Sequence, residues 1–104
     1  MSFRPPSLSG PVDVGAALFD ALSHEIMQEK AAALGRAGEK AALAVERLKS
    51  AAQDDHRRPE LLRDAARAVH AWFIQREVCG LRRHADVIRE VGIPGEVLVR
   101  LGAS

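Results

Sequence analysis

Aromatic residues are almost missing from this chain. It has no tyrosine, and only Phe3, Phe19, Trp72 and Phe73 carry rings. Sandwich and barrel cores lean on β-branched and aromatic side chains, so the shortage points instead to Ala, Leu, Val and Ile packed between helices. Cys79 stands alone, which excludes an intrachain disulfide and makes a reducing, cytoplasmic compartment the expectation. No apolar run approaches membrane-spanning length. The first residues, MSFRPPSLSGP, contain one arginine, three prolines and no apolar stretch, so residues 1–10 are read as a disordered arm rather than a secretory signal. A one-sided charge is lacking too. Lys plus Arg number 15 against 14 for Asp plus Glu, a net charge of +1, which argues against nucleic-acid or membrane-surface partners.

What the chain does have is helical spacing. Met27, Ala31, Leu34, Gly38, Ala41, Val45, Leu48 and Ala52 follow one another in strict steps of four and three. Ile74, Val78, Leu81, Ala85 and Ile88 repeat the rule further on. Such spacing lines one side of a helix, and two such stripes form a seam. The length fits one domain over residues 11–104, with helices over about 11–53, 59–91 and 94–101. Pro11 or Asp13 opens the first helix, and Pro59 with Glu60 opens the second. The polar run Asp54, Asp55, His56, Arg57, Arg58 is the turn between them. Gly92, Ile93 and Pro94 form a stop: a left-handed glycine, a residue able to fold back on Ile88, and a proline that cannot continue.

The expected fold is therefore an all-α antiparallel helical hairpin with a short C-terminal helix. A turn centred near residue 56 makes facing residue numbers sum to about 112, which sets Gly38 against Ile74 and Ala31 against Leu81. Gly35 and Gly38 have two readings, a break in the first helix or a close approach of another element. Phe19, Ile26, Leu43, Leu62, Val69, Trp72 and Phe73 fall off this seam. A two-helix unit offers them no second layer, so pairing into a homodimeric four-helix bundle is expected, with Leu43, Val69, Trp72 and Phe73 at the dimer interface.

Chemistry is sparse. The Glu-x-x-His step of di-iron bundles occurs nowhere, although Asp20 and His24, and Glu25 and Glu29, stand four apart. His70, Glu77 and His84 share a helix face at seven-residue steps and read as a solvated stripe or dimer rim. Glu25, Glu29, Arg76 and Arg83 are the polar residues nearest the seam. A Glu29–Arg83 ion pair fixing register is the plain reading, and an anion site clamped by Arg76 and Arg83 the sharper one. Cys79 is read as a buried inert thiol. Arg57, Arg58, Arg63 and Arg67 are interleaved with Asp54, Asp55, Glu60 and Asp64, which reads as a neutral solvated helix start. No nucleophile–base–orienter set is visible, and no metal or cofactor is expected.

HEIMQEKAAALGRAG (24–38) and FIQREVCGLRRHADVIREVGIP (73–94) resemble a small bacterial all-helical family catalogued only as a domain of unknown function. The resemblance implies a bacterial cytoplasmic protein and carries no catalytic residues. The expectation from residues and resemblance together is a non-enzymatic interaction, scaffold or regulatory module acting as a helical homodimer. The alternative is a small-ligand or metal binder using polar residues inside the bundle.

Overall fold

The computed structural model describes residues 11–103, which form four helices: α1 (Pro11–Ser50), α2 (Arg58–Val78), α3 (Ala85–Val91) and α4 (Gly95–Ala103). No strand occurs among them. The arm expected over residues 1–10 lies outside the described residues. Two compact units are distinguished, Met1–Ala31 and Ala32–Ser104.

The core belongs to the second unit. The stripe Ala41, Val45 and Leu48 of α1 is buried together with Ala65, Ala66, Val69 and Trp72 of α2, and with Ile93 and Val97 at the C-terminal end. No buried polar or charged residue interrupts this apolar cluster among the described residues. The stripe of α1 thus works as expected from Leu34 onward, while Met27 and Ala31 are exposed within the first unit and Ala52 lies beyond the helix end.

Neither glycine breaks α1. Gly35 has open space beside it, and Gly38 makes room for a ring: a Cβ there would lie 3.1 Å from Trp72 Nε1. That contact corrects the register. Gly38 meets Trp72, not Ile74, and the face of α2 that packs inward carries Leu62, Ala65, Val69 and Trp72. These residues keep the same steps of three and four, in a different phase from the expected stripe. Ile74, Val78 and Leu81, assigned to the seam by spacing, are 47, 54 and 43% exposed.

The turn after α1 is built by Asp55. Its carboxylate accepts from the backbone N–H of Arg57 at 2.8 Å and from the same residue's guanidinium at 3.2 and 3.0 Å. These bonds hold the carboxyl well below its usual 3.8, at about 2. Arg58, at the start of α2, then grips Glu96 of α4 with two parallel bonds of 2.9 and 2.6 Å. The fork lowers the Glu96 pKa and raises that of Arg58. It also fixes the start of α4 against the start of α2, and these two helices pack together.

The second long helix is not continuous to Val91. It ends at Val78, and Cys79–His84 separates α2 from α3. The cause is Gly80, at φ +88°, in a Schellman arrangement: its N–H donates to the Glu77 carbonyl at 2.9 Å, and the Leu81 N–H donates to the Arg76 carbonyl at 2.8 Å. The stop at Gly92 forms as expected. That glycine has φ +72°, the Ile93 N–H donates to the Ile88 carbonyl at 3.0 Å, and Ile93 is carried into the core.

Candidate functional site

The densest polar arrangement gathers where α2 ends. Arg76 lies with its guanidinium carbon 5.9 Å from the Trp72 ring centroid. Its Nη2 donates to the Arg83 carbonyl at 2.8 Å, closing the loop, and its Nε donates to His84 Nδ1 at 3.0 Å. Because Nδ1 accepts, the ring proton sits on Nε2, which donates to Glu77 Oε2 at 3.0 Å. The imidazole lies flat on Phe73, with centroids 4.1 Å apart and planes 5° from parallel. Its side chain is only 15% exposed.

Both ring nitrogens of His84 are therefore occupied. In this state it offers no lone pair to a metal and no free base to a substrate. The chain Arg76–His84–Glu77 acts on the backbone, fastening the loop of Cys79–His84 to the last turn of α2. Leaving α2 at Gly80 would otherwise forfeit a continuous ladder, and these side-chain bonds with the ring stack compensate. The seven-residue step from Glu77 to His84 brings the two together, but across a loop and not along one helix.

The structure distributes the expected site residues widely. Arg76 and Arg83 meet, but through the Arg83 carbonyl, while the Arg83 side chain is exposed. Glu25 and Glu29 lie exposed on α1 in the unit Met1–Ala31. Arg83 stands on the loop Cys79–His84 and not on α2, which ends at Val78. Cys79 is half-buried at the end of α2. Of the four residues expected at a dimer interface, Val69 and Trp72 are buried in the chain's own core, and Phe73 is half-buried against His84. Leu43 is 57% exposed. Among the described residues no group of three His, Cys, Asp or Glu could hold a metal ion, and no helix is long and apolar enough to cross a membrane.

A different surface stands out in the unit Met1–Ala31. Val14, Leu18, Phe19, Leu22 and Ile26 are 56 to 70% exposed. At 3.6 residues per turn they share an arc of about 140° on α1. The facing-residue sum of about 112 sets Leu18 and Leu22 beside Ile93 and Val91, under the short C-terminal helix, and leaves Phe19 and Ile26 off the seam, whereas the structure leaves both leucines exposed on the same face as Phe19 and Ile26. The signal was present in the spacing of four from Val14 to Ile26.

The described residues form an all-α protein of four helices, with a buried apolar cluster in the unit Ala32–Ser104 and an exposed apolar face in the unit Met1–Ala31. The chain belongs to a family of unknown function (DUF6665), whose model matches residues 9–104. No curated protein and no solved structure matches it.

Proposed function

We propose that this protein is a non-enzymatic interaction module that works by self-association, a second copy covering the apolar face of Val14, Leu18, Phe19, Leu22 and Ile26. The exposure of that face carries the reading. Helices in water owe most of their stability to packing of an apolar face, and contiguous apolar surface of this kind marks interaction sites. A second copy brings an identical face of identical length, so one two-fold contact covers both.

Sedimentation velocity from about 1 to about 100 µM tests this, since association linked to mass action must change with concentration. The wild type should move to a dimer across that range. The double variant Leu18→Asp, Leu22→Asp should stay monomeric while keeping the helical signal of the unit Ala32–Ser104. A wild type that is monomeric throughout overturns the proposal.

A further inference from the structure

The arginines near the start of α2 fall into two groups. Arg57 and Arg58 are neutralised by Asp55 and Glu96. Arg63 and Arg67, with Arg100 of α4, make no ion pair or hydrogen bond with any described residue. Arg63, Arg67 and His70 follow at steps of four and three, so they project from one face of α2. Arg100 comes from α4, one turn beyond the Glu96 that Arg58 holds in place. With Ala66 and Leu101 these four residues line a hollow of about 280 Å³, and no acidic residue lines it. Arg63 and Arg100 also border an adjoining hollow of about 340 Å³, but Asp54 and Asp55 line that one, so the hollow beside Arg67 and His70 is the one lined by a single sign of charge.

We propose that this groove between α2 and α4 binds a small phosphate-bearing molecule. Arg63, Arg67 and Arg100 take the phosphate, His70 supplies a further ring donor, and the body of the ligand rests on Ala66 and Leu101. Three observations select the ligand class. Every permanently charged residue in the hollow is an arginine, whose planar fork matches phosphate oxygens two at a time. A concave surface lined by one sign of charge focuses the field on an anion. The volume of about 280 Å³ falls just below the usual range of drug-sized sites, which suits a ligand as small as a phosphate ester, and a chain of net charge +1 has no extended basic field for tracking a polymer backbone. Glu96 is then a positioning residue, because its bond to Arg58 sets the helix that presents Arg100. The groove lies wholly within the unit Ala32–Ser104, so it stands or falls independently of self-association.

Titration of the full chain with pyrophosphate at constant ionic strength, followed by calorimetry and amide chemical shifts, tests the proposal. Saturable binding is expected, with shifts confined to residues 63–70 and 98–101. Arg67→Gln and Arg100→Gln should each weaken it about tenfold or more, the usual effect of losing a charged hydrogen-bonding partner. Arg82→Gln, an exposed arginine outside the groove, should change it less than about twofold. Heat that stays linear to about 10 mM pyrophosphate, far weaker than a specific site, overturns the proposal. So does a loss in Arg82→Gln equal to that in Arg67→Gln. Binding of a short DNA duplex with a steep salt dependence, in the absence of saturable pyrophosphate binding, also overturns it and assigns the groove to nucleic acid.

Discussion

The two parts of α1 carry similar sequence and meet different fates. From Leu34 to Leu48 the steps of three and four deliver Ala41, Val45 and Leu48 into a core with α2 and Val97. From Val14 to Ile26 the apolar residues are larger and as regularly spaced, yet each is more than half exposed. Periodicity states that a helix has an apolar face. It does not state whether that face is covered by the same chain or by another one. In the later part of α1, the small residues Gly38 and Ala41 admit Trp72 and its neighbours, whereas Leu18, Phe19 and Leu22 form a ridge suited to a broad partner surface.

The largest effect expected on this contrast comes from Trp72→Ala. Truncation of a buried tryptophan typically costs about 3–5 kcal/mol, and here it removes the ring that joins α2 to Gly38. Urea denaturation followed by circular dichroism should show the unit Ala32–Ser104 unfolded or nearly so. An intact transition within about 1 kcal/mol of wild type would show that Trp72 is not part of the core.

Gly80→Ala should come next. A left-handed backbone costs a residue with a Cβ about 1–2 kcal/mol, although open space surrounds the site. A neutral result in thermal denaturation would mean that α2 can continue past Val78 at no cost. Such a result would restore the uninterrupted helix that spacing alone suggested.

That error shows what was legible. The all-helical class, the turn near residues 54–58, the stop at Gly92 and the inward stripe of α1 follow from local rules. The phase of α2 did not, because the stripe Ile74, Val78, Leu81, Ala85, Ile88 was traced across Gly80, where the helix ends. Leu62, Ala65, Val69 and Trp72 have the same spacing, and a choice between phases needs the knowledge of which segment is one helix. Gly80 was silent for a physical reason. A glycine stops a helix when the following loop gains enough elsewhere, and that gain lies in the Arg76–His84–Glu77 bonds and the Phe73 stack, which join residues on both sides of the break. The candidate site was less legible still. The arginine groove needs α4 folded back on α2, and no spacing within one helix encodes that.

Acid should distinguish the ion-paired end of the fold from the rest. Asp55 and Glu96 both have folded pKa values below their ordinary ones, so each adds stability that is present above the unfolded pKa and is lost as pH falls through the folded value. The melting temperature should hold at neutral pH, begin to fall near pH 4 and continue down to about pH 2, where Asp55 is half-protonated. Glu96→Gln should remove part of that slope and lower the neutral-pH melting temperature. A slope unchanged in Glu96→Gln and in Asp55→Asn would show that neither carboxylate is held as described.

The smallest effect sharpens the comparison along α1 itself. Gly35→Ala, with open space and no positive φ, should stabilise the protein by about 0.5–1 kcal/mol. Gly38→Ala should fall short of that gain, because its Cβ would press on the Trp72 ring at 3.1 Å. Equal gains at both sites in denaturant titration would contradict the close approach of Trp72.

Self-association through the first part of α1 is tested most directly by amide hydrogen exchange read by mass spectrometry at low and high protein concentration. Segments over residues 14–31 should exchange fast in dilute protein and become protected as concentration rises, while segments over 41–48 and 61–78 keep the same protection throughout. Protection of residues 14–31 that does not change with concentration would contradict the account.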